Sequence, residues 1–381
     1  MKWEIAKLGK IAIIRTGKLD SNAAVIGGRY PFFTCDPNTL SIDVWAYDTE
    51  AVLLAGNNAS GNYTAKYYKG KFNAYQRTYI IESANEEELN IRYLCYALNQ
   101  QLRLLKTMSS GSTTKFLTVR MLDNLDIPLF GINIQTQIVN ILSAYDDLIE
   151  NNQKQIKLLE EAAQRLYKEW FVDLRFPGHE NTKIVDGVPE GWNICPFSSK
   201  VDIMSGGTPK TSIPDYYNGR IPFYTPKDSD GAFFAYKTQM NITEGGLKNC
   251  NSRLYPPKTV IITARGTVGK TTILAVPMAM NQSCYALKMK ENDAPYYLFF
   301  ALNNEIKALQ TMANGGVFNT IIGKTFDSIN IQIPKDPLIY GFEETVRPFM
   351  EQIKNKLQAN LKLVEARDRL LPKLMNGEVE A

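Results

Sequence analysis

The chain has 381 residues, a length that fits two globular domains better than one. Its hydrophobic content of 44% and charged content of 22% exclude a disordered or fibrous protein. The formal net charge of +4 permits an anionic partner but does not require one, because binding depends on where the charges lie. No run reaches the roughly 20 apolar residues of a membrane span, and the first residues do not form a signal peptide. We therefore expect a cytoplasmic protein that does not contact a membrane.

The cysteine and histidine content argues against disulfide and metal chemistry. The five cysteines are far apart and never form a C-x-x-C pair, and His179 is the single histidine of the sequence. A zinc site or a disulfide framework would need closely spaced ligands or paired cysteines. We therefore predict neither of them.

The first 130 residues alternate short β-branched runs with turn-forming residues, a pattern that predicts strands. One helix is expected around the segment YLCYALN at residues 93–99. We therefore predict a compact α+β domain at residues 1–130.

A long helix is predicted next, from about Asn133 to Phe171, because this stretch contains neither proline nor glycine. Its apolar residues recur in alternating steps of three and four, with a local slip near Tyr145, which is typical of a coiled coil. We assign residues 131–174 to this first spacer helix. The residues expected to pair it with another helix are Ile141, Ile149, Ile156, Leu159 and Leu166.

Residues 175–191 are rich in proline and glycine and are predicted to link to a second domain at residues 192–336. A second spacer helix is predicted at residues 337–381. It is expected to stop at Gly377, with Pro372 marking a break close to the end. The residues expected to pair it with the first helix are Val346, Ile353, Leu357, Leu361 and Val364.

The two predicted domains repeat one another. The segment YLCYALN at residues 93–99 returns as YLFFALN at residues 297–303. The segment GRYPFFT at residues 28–34 returns as GRIPFYT at residues 219–225. Chance similarity would not preserve both order and spacing, so we predict an internal duplication with a period of about 205 residues.

These elements predict an α+β architecture with two similar globular domains, separated by two long antiparallel helices that form a coiled coil. The repeat would give the molecule pseudo-twofold symmetry, because each helix can bury its apolar stripe against the other copy. The alternative is a pair of unrelated helices, each lying on its own domain. Two like domains at a fixed separation suit duplex DNA, in which half-sites lie about one turn, roughly 34 Å, apart.

Polar and basic side chains cluster in corresponding parts of both domains. Asparagine and glutamine can pair with adenine edges, arginine and lysine with guanine or phosphate, and hydroxyl groups with phosphate. The alternative is that such residues only form turns. The candidate DNA-binding residues are Asn58, Ser60, Asn62, Lys66, Gln76, Arg77, Ser110, Thr113, Lys115, Lys227, Arg265, Thr267, Lys270, Asn281, Gln282, Asn314 and Asn319.

One segment nearly matches a phosphate-binding P-loop, ARGTVGKT at residues 264–271. Ala264 replaces the first glycine that the motif requires. The residues that follow are β-like and closed by Pro277, so we expect no helix whose amino end could hold a phosphate.

Other catalytic motifs fail as well. A methyltransferase would need a glycine-rich cofactor loop and an Asn/Asp-Pro-Pro-aromatic motif, and the sequence has neither. A nuclease would need clustered carboxylates that hold Mg²⁺, whereas Asp146 and Asp147 fall on the first long helix. We therefore predict that the chain is not itself an enzyme.

Six segments of the sequence occur in a characteristic order inside the duplicated frame. They are QTQIVNIL at 135–142, DDLIENNQ at 146–153, AQRLYKEWFVD at 163–173, VPEGW at 188–192, TARGTVG at 263–269 and LLPKLMNG at 370–377. No single segment is specific, but their order is, and by it the whole chain resembles the specificity subunit of type I restriction–modification enzymes.

This resemblance implies two target-recognition domains, each binding one half of a split, asymmetric sequence in double-stranded DNA. It implies that the helices measure the gap between the half-sites and dock two methyltransferase subunits, to which restriction (translocase/endonuclease) subunits add. The chain itself would hold no cofactor, since S-adenosylmethionine, ATP and Mg²⁺ would belong to the partner subunits. The recognition domains are the variable part of the family, so no base contact can be transferred.

Two other interpretations remain open. The chain could be a non-enzymatic DNA-binding adaptor or scaffold outside restriction–modification, which would bind DNA tightly without methyltransferase subunits. It could also be a nucleotide-using enzyme, an interpretation that rests on the incomplete P-loop alone, and ATP binding that is lost in Lys270→Ala would support it.

Overall fold

The computed structural model describes residues 3–58, 63–108, 115–312 and 320–380. The chain divides into two units, and each unit takes part of both long helices. Unit 1 consists of Met1–Ile149 with Lys362–Ala381, and unit 2 consists of Glu150–Leu361. The domain boundaries predicted from the sequence divide the chain into consecutive segments, unlike these two units, and they stay predictions.

Unit 1 is built on a six-stranded sheet of order β2-β8-β5-β7-β3-β4. Its strands are β1 (Glu4–Lys7), β2 (Ala12–Thr16), β3 (Tyr30–Phe33), β4 (Leu40–Ile42), β5 (Tyr47–Ala55), β6 (Asn57–Asn58), β7 (Ala65–Ala74), β8 (Thr78–Ser83), β9 (Lys115–Phe116) and β10 (Asp126–Leu129). Its helices are α1 (Leu8–Ile11), α2 (Ile91–Met108), α3 (Val119–Asp123) and the first half of α4 (Ile132–Tyr167). Short ladders join β1 to β10 and β6 to β9.

The central strand β5 is buried on both faces. Val52 and Leu54 belong to the core that includes α2, whereas Ala51 and Leu53 belong to a second, smaller core. Successive side chains of a strand point to opposite faces, so the continuous apolar run of β5 fills both cores at once.

Unit 2 contains a five-stranded sheet of order β14-β21-β18-β19-β16 and a three-stranded sheet of order β17-β15-β20. Its strands are β11 (Ile184–Val185), β12 (Val188–Pro189), β13 (Asn193–Pro196), β14 (Val201–Ser205), β15 (Tyr217–Tyr224), β16 (Phe234–Ala235), β17 (Asn241–Ile242), β18 (Val260–Thr263), β19 (Thr271–Leu274), β20 (Ala279–Met280), β21 (Cys284–Met289) and β22 (Asn330–Ile333). Its helices are α5 (Phe197–Lys200), α6 (Glu244–Lys248), α7 (Pro295–Met312), α8 (Thr325–Ser328) and most of α9 (Asp336–Met375).

The two units share strand order and individual hydrogen bonds, which confirms the predicted duplication. The order β2-β8-β5-β7 in unit 1 corresponds to β14-β21-β18-β19 in unit 2. The Tyr93 hydroxyl on α2 donates to the Pro128 carbonyl at 2.5 Å, and the Tyr297 hydroxyl on α7 donates to the Gln332 carbonyl at 2.5 Å. The copies differ where Pro277 follows β19, because proline cannot donate to a ladder and the strand is interrupted before β20.

The apolar stripe on α4 continues without a slip, so the slip predicted near Tyr145 is wrong. The stripe includes two polar side chains, Gln135 and Asn152, which are 0% and 7% exposed. An apolar pattern search passes over such positions, whereas the hydrogen bonds of these amides allow them to be buried. The stripe residues, all buried or half-buried, are Gln135, Ile138, Leu142, Tyr145, Ile149, Asn152, Ile156, Leu159, Ala163, Leu166 and Trp170.

Within unit 2 the two long helices run antiparallel. Asn152 of α4 donates a hydrogen bond to Asn360 of α9. Directly after α4, a π-helical turn at Lys168–Val172 brings the ring centroid of Phe171 within 5.1 Å of that of Phe342. The residue numbers of the partners on α9 thus decrease as the residue numbers on the α4 side increase, which shows that the two segments run in opposite directions.

The residues predicted to pair the helices lie in different environments. Ile156, Val346 and Ile353 lie in the main core of unit 2, and Leu159, Leu166 and Leu357 pack half-buried against it. In unit 1, Ile141 packs half-buried against the core, and Ile149 is 9% exposed. Leu361 and Val364 are half-buried.

The break predicted at Pro372 is absent, since α9 continues to Met375. The Asn376 N–H donates to the Pro372 carbonyl at 2.9 Å, which completes the last turn of the helix. A proline removes its own N–H donor and crowds the carbonyl four residues earlier, but α9 accommodates both Pro348 and Pro372 without ending. Gly377, at φ +66°, then provides the left-handed residue that commonly ends a helix.

Candidate nucleic-acid interface

In unit 1, three segments meet beside the turn that joins β7 to β8. The Gly56 N–H donates to the Arg77 carbonyl at 2.8 Å, and the Leu117 N–H donates to the Gly56 carbonyl at 2.9 Å. Gln76 and Arg77 are exposed there. We call Gly56–Asn57, residues 75–77 and residues 116–117 turn surface 1.

The structure brings some of the predicted residues of domain 1 to this surface. The pairing of β6 with β9 sets the backbone of Asn58 opposite that of Lys115, next to the turn that holds Gln76 and Arg77. Four further candidates of this group lie outside the described residues: Ser60, Asn62, Ser110 and Thr113.

Lys66 is held by local contacts. Its ammonium group donates to the Thr39 hydroxyl at 3.3 Å, and its side chain lines a cavity of about 40 Å³ together with Asp36. Burial lowers the pKa of Lys66, and the Asp36 carboxylate opposes that shift. Lys66 is therefore less suited than the exposed Arg77 to meet a phosphate.

Unit 2 repeats the arrangement. The Ala264 N–H donates to the Ser283 carbonyl at 2.7 Å, and the Ile321 N–H donates to the Ala264 carbonyl at 2.9 Å. The Thr267 hydroxyl donates to the Pro226 carbonyl at 3.2 Å, which adds the short 3-10 turn Pro226–Asp228 to the group. We call residues 226–228, 264–267, 281–283 and 321 turn surface 2.

Turn surface 2 gathers most of the candidates predicted in domain 2. Lys227, Arg265, Thr267 and Gln282 are exposed on it, and Asn281 is half-buried. The Asn281 side-chain oxygen accepts from the Ser283 N–H at 3.0 Å, so this residue acts at least in part as turn chemistry.

Lys270 lies apart from this group, and two further candidates cannot be placed. Lys270 lines a cleft of about 790 Å³ together with Arg165 and Asn304. Asn314 and Asn319 lie outside the described residues.

Asp228 braces the turn that carries Lys227. One carboxylate oxygen accepts from the Thr225 N–H at 2.8 Å and from the Thr225 hydroxyl at 2.7 Å. The other accepts from the Gln239 N–H at 2.7 Å. These bonds occupy the carboxylate, and Lys227 and Arg265 are exposed cations of the type that contacts phosphate in protein–DNA interfaces.

The segment that resembles a P-loop is the tip of a β-hairpin. Strand β18 precedes it and strand β19 follows it, so no helix begins at residue 271. The Thr263 hydroxyl donates to the Thr267 carbonyl and accepts from the Lys270 N–H at 3.0 Å, which closes the loop on itself. This loop presents Arg265 and does not form a phosphate cradle at a helix terminus.

Two glycines that the sequence analysis did not select hold both turns in place. A Cβ on Gly17 would collide with the carbonyl oxygens of Ala74 and Tyr75, and a Cβ on Gly206 would collide with those of Met280 and Asn281. Only glycine allows this close approach of two backbones. The signal in the sequence is a hydroxyl residue followed by glycine, TG at residues 16–17 and SG at residues 205–206.

A polar network ties domain 1 to the long helices inside unit 1. Asp146 of α4 accepts a hydrogen bond from the Tyr96 hydroxyl on α2 and one at 2.6 Å from Arg367 of α9. A single carboxylate therefore joins three helices and fixes the orientation of α2.

In unit 2 a buried carboxylate likewise links a long helix to a helix of the recognition domain. Glu343 of α9 is 4% exposed and accepts from the Tyr297 N–H at 2.7 Å, near the beginning of α7. Burial raises the pKa of Glu343 to about 7, and the N–H groups of Tyr296 and Tyr297 oppose that shift. The side chain satisfies helix N–H groups that would otherwise lack a partner.

In the part of the chain that the structure describes, the side chains form no group of three metal-binding residues, and no helix has the length and apolarity to cross a membrane. The Cys284 thiol lies beneath turn surface 2, and burial raises its pKa to about 12. A thiol with that pKa stays protonated near neutral pH and is a poor nucleophile.

Comparison with known proteins gives a consistent assignment. The family described as "Type I restriction modification DNA specificity domain" matches residues 1–161 and again residues 189–359. The chain is similar to the type I restriction enzyme EcoDI specificity subunit of Escherichia coli, with 27% identity over 423 residues, covering 100% of this chain and 89% of that protein. It is also similar to the MjaIX specificity subunit of Methanocaldococcus jannaschii, with 28% identity over 295 residues, covering 75% of this chain and 68% of that protein.

A solved structure shares the fold. The crystal structure of the type I restriction-modification system S subunit from M. genitalium aligns with a TM-score of 0.61 and 18% sequence identity, covering 98% of this chain and 96% of that one. The family match spans most of both repeats, and each repeat carries its own turn surface. The chain therefore belongs to the type I restriction modification DNA specificity family.

Proposed function

We propose that this chain is the DNA-reading subunit of a type I restriction–modification complex and that it binds a bipartite, asymmetric target. Each recognition domain would bind one half-site of double-stranded DNA through its turn surface. The duplicated turn surface is the observation that carries the proposal. The same backbone frame occurs twice, but the side chains on it differ, with Arg77 in one copy and Ser283 in the other.

The two long helices would separate the half-sites and dock two methyltransferase subunits, to which restriction subunits add. Support comes from apolar side chains that α4 leaves exposed although its main stripe is buried. Leu148 is 46% exposed and Leu158 is 64% exposed. A partner subunit that covered these side chains would remove their apolar surface from water, which favours association.

We propose that the chain has no catalytic site and holds no cofactor. S-adenosylmethionine, ATP and Mg²⁺ would be bound by the methyltransferase and restriction subunits. This division of labour fits the hairpin geometry of residues 264–271 and the protonated Cys284 thiol, neither of which offers a reactive group. The complex would act on DNA in the cytoplasm.

The proposal is tested by measuring DNA affinity for the purified chain, alone and with methyltransferase subunits. We expect weak binding by the chain alone and sequence-specific binding by the complex. Phosphate contacts should make the affinity of the complex fall at least about tenfold between 50 and 200 mM salt. Tight binding by the chain alone, unchanged by methyltransferase subunits, would instead support an adaptor outside restriction–modification.

A further inference from the structure

The turns that carry Gln76 and Gln282 occupy equivalent places in the two units. In unit 1 the Tyr75 N–H donates to the Phe33 carbonyl at 2.9 Å, and in unit 2 the Asn281 N–H donates to the Tyr224 carbonyl at 3.0 Å. The residue that directly follows strand β5 or β18 is bonded to the turn in the same way. The Gly56 N–H donates to the Arg77 carbonyl in unit 1, and the Ala264 N–H donates to the Ser283 carbonyl in unit 2. Each turn also packs on a glycine that admits no side chain, Gly17 or Gly206.

Each turn is closed by a hydrogen bond between its first and fourth residues. The Thr78 N–H donates to the Tyr75 carbonyl at 2.8 Å, and the Cys284 N–H donates to the Asn281 carbonyl at 3.2 Å. The glutamine is the second residue of both turns and is exposed in both.

Glutamine is the residue type that the two turns share. The first residues are Tyr75 and Asn281, and the third residues are Arg77 and Ser283. β-Turns favour proline, glycine, asparagine, aspartate and serine, so turn formation does not call for glutamine at the second position. Turn formation alone therefore does not explain the glutamine in both copies, and its exposed side chain can contact a partner outside the protein.

We propose that Gln76 and Gln282 each read one adenine–thymine base pair, Gln76 in one half-site and Gln282 in the other. This inference rests on the proposed function and adds to it the identity of one reading residue in each domain. A glutamine amide can donate to N7 of adenine and accept from its N6 amino group, and this two-point contact distinguishes adenine from the other bases in the major groove.

The surroundings of Gln282 suit this role. The Thr208 hydroxyl donates to the Gln282 side-chain oxygen, which orients the amide and leaves the NH₂ group available to donate. The oxygen has a second lone pair for the adenine amino group. Thr208 is thus a positioning residue for Gln282.

The test uses the complete complex and a panel of duplexes in which each base pair of both half-sites is changed in turn. Methylation rates are measured for the wild type and for Gln76→Ala and Gln282→Ala. The wild type should prefer adenine at one position of each half-site. Gln76→Ala should reduce that preference about 5- to 150-fold in one half-site only, and Gln282→Ala should do so only in the other.

Further variants separate reading from folding. Gln76→Glu and Gln282→Glu keep the size of the side chain but remove its donor, so they should lose the same preference. Gln352→Ala changes an exposed glutamine on α9 and should leave both half-sites unchanged. Thr208→Val should weaken discrimination in the half-site that Gln282 reads and not in the other.

The outcomes distinguish the inference from the proposed function. A wild-type complex without a split target would contradict the proposed function. A split target whose base preferences stay the same in Gln76→Ala and Gln282→Ala, or weaken equally at every position, would overturn the role of the glutamines alone.

Discussion

The side-chain amide of Asn152 donates a 2.8 Å hydrogen bond to the side-chain oxygen of Asn360, where α4 meets α9 in unit 2. Asn152 is 7% exposed and lies on the stripe between Ile149 and Ile156. A paired polar side chain in an apolar helix seam lowers stability relative to an apolar pair, but it favours the one register in which both partners meet.

Replacing one member of this pair should therefore cost more than replacing both. Asn360→Leu leaves the buried amide of Asn152 without its partner and should lower the free energy of unfolding by about 1–3 kcal/mol. The double variant Asn152→Leu/Asn360→Leu should recover most of that loss. Urea unfolding checks both variants, and a double variant that loses more stability than Asn360→Leu alone would contradict the pairing.

The Asp146 network predicts a difference between two adjacent carboxylates. Asp146→Ala removes the acceptor of both Tyr96 and Arg367 and should lower the free energy of unfolding by about 1–3 kcal/mol. Asp147→Ala removes a 2.6 Å ion pair with Arg92, but the Asp147 side chain is 62% exposed, so the loss should stay below about 1 kcal/mol. Thermal unfolding measures the stability of both variants. Similar losses of stability in the two would count against the network.

Glu343 should make unit 2 less stable as pH rises. Its pKa is raised to about 7 in the folded protein from an ordinary value of 4.5, so folding favours the protonated form. The stability that this group contributes is fully present below pH 4.5 and is lost as the pH rises through 7. The Tm of the wild type relative to Glu343→Gln should therefore fall between pH 5 and pH 8.

The neighbouring residue supplies the control for that measurement. Glu344 is exposed on the same helix, so Glu344→Gln should follow the pH dependence of the wild type. If the difference in Tm between the wild type and Glu343→Gln stays constant from pH 5 to pH 8, burial does not shift this carboxyl.

The helix pair should act as a spacer whose length sets the gap between half-sites. Four residues inserted between Gln153 and Leu158, with four matched residues after Gln358 in α9, add about 6 Å, one helical turn. We expect the preferred gap to change while both half-sites keep their sequences. Mapped methylation sites provide the readout, and an altered half-site would show that the helices do more than separate the domains.

Periodicity and repetition allowed much of the fold to be predicted. The alternation of short strands with turns, the uninterrupted apolar pattern before Phe171 and the return of YLCYALN as YLFFALN identified two similar α+β domains and two long helices. These signals are local, and each follows from burying one face of a strand or helix.

Features that depend on distant partners could not be predicted. Asn152 looks like a solvated residue until Asn360 is placed beside it, 208 positions along the chain. Gly17 has no local turn to explain it, because the backbone it approaches belongs to residues 74–75. Among the candidate binding residues, those on hairpin tips were found by residue type and position. The hydrogen bonds that Lys66 and Asn281 make within the protein are seen only in the three-dimensional structure.

The most direct test is to map methylated adenines in DNA from cells that express this chain with its methyltransferase subunits. Two recognition domains that bind unlike half-sites should give two short sequences separated by a gap of fixed length and free sequence. Methylation within one uninterrupted sequence, or at no defined sequence, would contradict the account.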